Sequence, residues 1–157
     1  MPPALLFDIS GIDLGNVLYG SEEIRKYNPQ RHEFEMLDAV CWVDGSAGRI
    51  VGYKDVRADE FWVRGHIPGR ALFPGVLQIE LAAQVSSFYT GKVMGWTGFL
   101  GFGGVDEVRF RGQVVPGNRL YVLAELQWAR HRRVQCKAQG IVNGSLVFEG
   151  VITGVQL

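Results

Sequence analysis

Residues 65–84 read GHIPGRALFPGVLQIELAAQ, a glycine- and proline-rich loop that leads directly into a helical pattern. The pattern predicts a helix from residue 76 to about residue 94, the only long helix expected in the chain. Apolar residues fall nearly all round this helix, which is typical of a buried helix rather than one that lies on the surface. Its small side chains would let a sheet curl closely around it, and they are Ala82, Ala83, Ser86 and Ser87.

Strand patterns occupy most of the remaining chain. Before the long helix, a short helix is predicted over residues 21–27, and strands are predicted over residues 35–43, 49–56 and 61–63. After it, strands are predicted over residues 105–115, 119–130, 134–142 and 145–155, with Asn143-Gly144 as a hairpin turn. The pattern indicates one α+β domain over residues 1–157, with residues 1–20 as an N-terminal extension and five to seven strands around one helix.

The composition is that of an ordinary globular domain. Hydrophobic residues make up 47% of the 157 residues and charged residues 20%, which excludes a disordered chain. Sixteen basic and sixteen acidic residues give a net charge of zero, which argues against non-specific nucleic-acid binding. The sequence shows no signal-peptide pattern at its N-terminus and no apolar run long enough for a membrane helix. We therefore expect a cytoplasmic protein with neither a nucleic-acid nor a membrane partner.

Three further features have structural interpretations that involve neither catalysis nor ligand binding. Cys41 and Cys136 are too few for a disulfide scaffold or a structural zinc site, so we expect two reduced, buried thiols and no metal. The glycine-rich residues 98–104 follow a helix and lead into a strand, the reverse of a dinucleotide-binding loop, so their glycines are expected to ease strand bending. The basic residues 130–133 are expected to form a solvated turn between two strands.

The long helix carries one charged side chain in an apolar setting. Glu80 is the only charged residue between Arg70 and Lys92. Burying an unpaired carboxylate costs free energy, so this carboxyl should have a partner or a raised pKa. Gln84 lies four residues later on the same helical face and could orient it. The alternative is a glutamate that reaches solvent at the edge of the helix.

His66 stands at the start of the loop that enters the helix. A histidine and a glutamate with a raised pKa make a natural general base and general acid near neutral pH, although an isolated loop histidine is usually inert. Gly75 follows Pro74 at the beginning of the helix. The free N–H groups there point at whatever docks, and glycine allows a carbonyl or oxyanion to approach closely.

Three segments resemble the (3R)-hydroxyacyl-acyl carrier protein dehydratases of type II fatty acid synthesis, the FabZ type. Residues 66–84 match a family signature that reads approximately His-Phe-Pro-Gly-x-Pro-Val-Met-Pro-Gly-Val-Leu-x-x-Glu-Ala-x-Ala-Gln, and His66 and Glu80 have the family's catalytic spacing of fourteen. Residues 108–120, VRFRGQVVPGNRL, look like the family's Phe-Arg-x-x-Val-x-Pro-Gly-Asp-x-Leu segment. Residues 29–40 resemble a third family segment.

The resemblance implies a hotdog fold, a curved antiparallel sheet wrapped around one central helix, and a reaction without a cofactor. It implies dehydration of (3R)-hydroxyacyl-acyl carrier protein to the trans-2-enoyl thioester. His66 would remove the C2 proton and Glu80 would protonate the departing 3-hydroxyl. The Gly75 N–H would polarise the thioester carbonyl, and the Leu72 carbonyl would fix the imidazole tautomer. Glutamate rather than aspartate at position 80 resembles the branch that dehydrates without isomerising.

The resemblance also implies partners. The family acts on substrates linked by phosphopantetheine to acyl carrier protein, and it forms a homodimer, often assembled as a hexamer of three dimers, with histidine and glutamate supplied by different chains. Because carrier proteins are acidic, we expect docking at Arg64, Arg70 and Arg109. Two alternatives are a non-catalytic hotdog subunit that binds acyl groups or acts as a scaffold, and an acyl thioesterase. Both are disfavoured because His66 and Glu80 are present together.

Overall fold

The computed structural model describes residues 3–157 and consists of one antiparallel sheet folded around one long helix. The strands are β1 (Ala39–Asp44), β2 (Arg49–Asp55), β3 (Leu100–Phe110), β4 (Arg119–Arg130), β5 (Arg133–Val142) and β6 (Ser145–Gln156). The α-helices are α1 (Ser21–Ile24) and α2 (Gly75–Phe88), and a short 3₁₀ helix spans His32–Phe34. The strands lie in the order β1-β2-β4-β5-β6-β3, and every neighbouring pair is antiparallel. The predicted α+β hotdog architecture is confirmed.

The enclosed helix organises the core as the sequence predicts. Leu81, Val85 and Phe88 on α2 are fully buried against the inner face of the sheet. Burying each such side chain stabilises the fold by about 1.5–3 kcal/mol. After Phe88 the chain continues as one turn of π-helix, Tyr89–Val93, so the predicted helical span is confirmed with a change of winding at its end. Gly52 on β2 makes room for Leu37, since an added Cβ would lie 2.7 Å from Leu37 Cδ1 and 3.4 Å from Val85 Cγ2 on α2.

The predicted strand over residues 61–63 is wrong. Only Trp62 of this apolar triplet is buried, and its carbonyl accepts the N–H groups of Gly65 at 3.3 Å and His66 at 2.9 Å. These residues therefore form turns that anchor the loop through one aromatic side chain. The strand expected over residues 35–43 begins only at Ala39, and α1 ends at Ile24 rather than at residue 27.

Strand β3 lies earlier in the chain than predicted, over Leu100–Phe110 instead of residues 105–115. The strand includes three of the glycines of residues 98–104, and its register against β6 shifts between Phe102 and Gly104. An added Cβ at Gly103 would lie 2.7 Å from Val155 Cγ2. The expectation that these glycines ease strand bending is confirmed.

The two edges of the sheet differ. The N-terminal extension covers β1, where Tyr19 exchanges backbone hydrogen bonds with Val40, and it also packs Phe7 into the outer face of the sheet. Within residues 3–157 nothing pairs with the free edge of β3. Large exposed apolar side chains cluster at this edge, and they are Phe99, Phe102, Val105 and Phe110. An exposed apolar edge of this kind is a template for pairing with another chain.

Both cysteines are free and buried, and burial raises the pKa of each thiol to about 11.

No helix among residues 3–157 is long and apolar enough to cross a membrane. In the same part of the chain, no group of three His, Cys, Asp or Glu side chains is placed to hold a metal ion.

Candidate active site

The loop before α2 fixes the orientation of one imidazole. His66 Nδ1 lies 2.8 Å from the carbonyl oxygen of Leu72, six residues later. A carbonyl oxygen can only accept, so Nδ1 must carry the hydrogen, and the lone pair of the neutral ring is left on Nε2. The ring itself is exposed in the single chain. His66 is therefore arranged to accept a proton at Nε2 from a molecule that approaches the surface.

A buried ion pair that no local sequence pattern predicts supports this loop. Lys54 Nζ lies 2.7 Å from Glu60 Oε1, and the two side chains are 2% and 6% exposed. The other Glu60 oxygen accepts the Arg57 N–H at 2.7 Å. Lys54 Nζ also lies 5.7 Å above the ring of Phe73, which packs edge-on against Trp62. The pair thus ties β2 to the chain on both sides of His66. The signal for it was a lysine that directly follows the uncharged run IVGY, residues 50–53, in β2.

Removing one charge of this pair should unfold or strongly destabilise the protein. Glu60→Leu would leave Lys54 buried without a partner, which typically costs about 3–5 kcal/mol. The double variant Lys54→Met/Glu60→Leu should recover most of that loss, because apolar side chains of similar volume often replace a buried pair without cost. Urea unfolding of the three proteins measures both effects. Equal stability of Glu60→Leu and the wild type would contradict the assignment.

Glu80 lies on α2 with its carboxyl held by one amide. Gln84 Nε2 donates to Glu80 Oε1 at 2.9 Å and to the Phe34 carbonyl at 2.9 Å. Gln84 Oε1 accepts the N–H groups of Met36 at 2.9 Å and Leu37 at 3.2 Å. Both donors and both acceptor positions of the amide are thus in use, which leaves it one orientation. The predicted contact between Gln84 and Glu80 is present. Gln84 also holds residues 34–37 in place through three hydrogen bonds to their backbone.

The environment of Glu80 favours the protonated acid. Burial raises the pKa of the carboxyl above its ordinary value, and the hydrogen bond from Gln84 opposes part of that rise. Glu80 is half-buried rather than extended into solvent, so the alternative of a solvent-reaching glutamate does not hold. The carboxyl faces a largely apolar cavity of about 200 Å³ between α2 and strands β3, β5 and β6. Its walls include Ala83, Phe99, Phe102, Cys136 and Ile152.

Gly75 begins α2 in contact with an aromatic ring. An added Cβ at this position would lie 2.7 Å from Cζ of Phe110, so a larger residue would displace the ring. The N–H groups of Leu77 and Gln78 both bond to the Pro74 carbonyl. Within residues 3–157 the N–H groups of Gly75 and Val76 have no acceptor, and they carry the positive end of the helix dipole. This end of α2 can therefore bind a carbonyl oxygen that gains negative charge.

One chain does not bring all of these groups together. Glu80 lines the first cavity, whereas Leu72 and Gly75 line a second, more open cavity of about 560 Å³. Gly75 and Glu80 are five positions apart on α2, which separates them by about 7.5 Å along the axis and about 140° around it. The predicted site residues thus form two half-sites: His66 with Leu72 and Gly75, and Glu80 with Gln84.

The three arginines predicted for docking are exposed. Arg64 and Arg70 flank His66 in the loop, and Arg109 lies on β3. Across residues 3–157 none of the three forms an ion pair, whereas Arg111 is paired with Glu149 at 2.6 Å. Their charges are therefore free to act on a molecule in solution.

The chain is similar to known proteins in sequence. A family model described as a FabA-like domain matches residues 28–151. The 3-hydroxyacyl-[acyl-carrier-protein] dehydratase FabZ of Bacillus cytotoxicus is 39% identical over 133 residues, covering 84% of this chain and 92% of the relative.

Two solved structures share the fold at much lower identity. The dehydratase heterocomplex ApeI:P from Xenorhabdus doucetiae matches with a TM-score of 0.71 at 17% identity, covering 85% of this chain and 90% of the other. A sigma28-regulated virulence protein from Campylobacter jejuni matches with a TM-score of 0.65 at 16% identity, covering 89% and 94%. At these identities the structural matches establish a common fold and nothing about activity.

Proposed function

This chain belongs to the FabA-like family, and on that basis we propose that it is a hydro-lyase that removes water from (3R)-hydroxyacyl thioesters of acyl carrier protein. The observation that carries the proposal is the state of Glu80. Its carboxyl is oriented by Gln84, faces an apolar cavity and has a raised pKa. A raised pKa favours the acid form of the carboxyl, and that form can donate a proton to a poor leaving group such as hydroxyl, which is the difficult step of a dehydration.

In the proposed reaction one half-site accepts a proton from the substrate and the other donates a proton to it. His66 Nε2 takes the C2 proton of the substrate, and the electron pair of that bond forms the C2=C3 double bond. The C3–O bond breaks as Glu80 gives its proton to the hydroxyl, which leaves as water. The Gly75 N–H stabilises the charge that develops on the thioester oxygen. Transfer of the proton from His66 back to the Glu80 carboxylate resets both groups, so no cofactor is consumed.

The geometry supports a site shared by two copies of the chain. The Glu80 cavity opens beside Phe99 and Phe102 at the start of β3, and the Gly75 cavity lies beside Phe110 at its end. If two bare β3 edges pair in antiparallel fashion, the start of one strand meets the end of the other. Such pairing would place the Glu80 half-site of one copy next to the His66 half-site of its partner, and it would cover the exposed apolar edge.

Product analysis separates this function from the two alternatives. Purified protein is mixed with a short (3R)-hydroxyacyl thioester of pantetheine, and both the conjugated enoyl thioester and free thiol are followed by absorbance. We expect enoyl thioester without thiol release. Thiol release without enoyl product would indicate a thioesterase, and neither product would indicate a non-catalytic acyl-binding subunit.

We also propose that Arg64, Arg70 and Arg109 attract the acidic carrier protein. Arg64→Glu, Arg70→Glu and Arg109→Glu should each raise KM for the carrier-linked substrate several-fold at low salt, because steering by exposed charges acts mainly on association and is screened by salt. KM for the small pantetheine thioester should not change. Arg132→Glu, a charge reversal at the exposed β4–β5 turn, is the matched control. Equal effects on both substrates would show that the arginines support the loop instead.

A further inference from the structure

Gln78 is a buried amide that the proposed reaction does not use. Its side chain is 3% exposed, and its Oε1 has no hydrogen-bond partner among residues 3–157. It lines the second cavity together with Leu72, Gly75 and Phe110. Buried side-chain oxygens are nearly always paired in folded proteins, because an unpaired one loses its hydration without compensation. An unpaired amide in the wall of a cavity therefore points to a ligand that supplies the missing donor.

The position of Gln78 on α2 places it beside the free N–H groups of the helix start. It lies three residues after Gly75, so the two share one side of the helix about 4.5 Å apart along the axis. Side chains on a helix lean toward its N-terminus, which brings the Gln78 amide toward the first turn. Gln78 Oε1 itself is shielded in the single chain, but no hydrogen bond holds the amide among residues 3–157, so a half-turn about its last bond brings Oε1 to the cavity. The cavity then offers an N–H donor at Gly75 and an amide acceptor a short distance away, between apolar walls that include Phe73 and Val114.

This pair of groups matches the chemistry of the arm that carries the substrate. In a pantetheine thioester the carbonyl carbon is followed by sulfur, two methylene groups and an amide N–H. An extended arm separates the carbonyl carbon from the amide nitrogen by roughly 5 Å, which is close to one helical turn. When the Gly75 N–H holds the thioester oxygen, the first amide of the arm therefore lies within reach of Gln78, while the methylene groups lie against the apolar walls.

We propose that the Gln78 side-chain amide binds the pantetheine arm, with Oε1 accepting the N–H of the amide nearest the thioester. The inference rests on the proposed function and adds to it a residue that selects substrates by their arm. Gln78 touches no reacting atom; it binds the substrate and holds the thioester over Gly75. A site built to pair with an N–H rejects an analogue without one, because its own polar group is then left unpaired.

The test compares two thioesters of the same hydroxyacyl group. One is the N-acetylcysteamine thioester, which keeps the amide, and the other has an ester oxygen in place of that N–H. For the wild type we expect kcat/KM to favour the amide thioester by about tenfold or more. Gln78→Met, of similar shape but without an acceptor, should lower kcat/KM for the amide thioester alone and so abolish the preference. Gln78→Glu, which keeps an oxygen acceptor, should retain part of it.

Gln127→Met is the matched control, since Gln127 is an exposed glutamine on β4 that lines neither cavity, and it should keep the full preference. Three results would overturn the inference: no amide preference in the wild type, an equal loss on both thioesters in Gln78→Met, or a Gln78→Met protein that sediments as a monomer where the wild type does not. The last would mean that Gln78 pairs with a second copy of the chain. If the wild type forms no enoyl thioester from either compound, the proposed function itself fails, and the inference fails with it.

Discussion

Glu80→Gln is expected to lower kcat by about 10²–10⁴-fold, the usual contribution of a general acid, and to leave the protein at least as stable as the wild type at neutral pH. Glutamine keeps the shape of the side chain and can still accept the hydrogen bond from Gln84, but it has no proton to give. It also removes a carboxyl whose ionisation the half-buried site disfavours. Steady-state kinetics and thermal melting measure the two effects on the same preparation.

The raised pKa of Glu80 sets the sign of the pH dependence. Because the proposed reaction uses the acid form of Glu80, wild-type kcat should fall as the pH rises through this raised pKa. The folded protein holds the proton more tightly than the unfolded chain, so the stability that Glu80 contributes is complete below its ordinary pKa of 4.5 and is lost as the pH rises through the folded pKa. The difference in Tm between Glu80→Gln and the wild type should therefore grow toward neutral pH. Glu33→Gln, at an exposed glutamate, should show neither effect.

His66→Ala should also lower kcat by about 10²–10⁴-fold, because the variant lacks the group that we propose takes the C2 proton. Its fold should be preserved, since the ring is exposed and its one hydrogen bond joins Nδ1 to the Leu72 carbonyl. Circular dichroism and a melting curve check the fold, and kcat is measured with the pantetheine thioester. His131→Asn, at the exposed β4–β5 turn, should have the kcat of the wild type. A His66→Ala protein with unchanged kcat would show that His66 is not the general base.

Local patterns predicted the elements whose residues repeat regularly. Strand β4 begins and ends where its alternation does, and Asn143 and Gly144 form the β5–β6 turn with φ of 48° and 78°, as an Asn-Gly hairpin requires. The contact between Glu80 and Gln84 was also predictable, because helical spacing alone places the two side chains on one face.

The features that were missed depend on contacts between distant parts of the chain. Lys54 and Glu60 form an ion pair only because the turn around Trp62 folds back over β2. The late start of β1 follows from Gln84, whose Oε1 takes the N–H groups of residues 36 and 37 out of any strand. The N-terminal extension offers no strong pattern, yet Phe7 completes a second apolar cluster on the outer face of the sheet. Periodicity carries no information about such long-range contacts.

Complementation between two inactive variants tests the shared site most directly. His66→Ala and Glu80→Gln chains are co-expressed with different tags, and assemblies that contain both are isolated by two affinity steps. In a mixed dimer one site combines the intact His66 of one chain with the intact Glu80 of the other, and the second site combines both substitutions. We expect about half of the wild-type kcat per dimer, far above either variant alone. A mixed dimer no more active than its parents would contradict a reaction carried out between two chains.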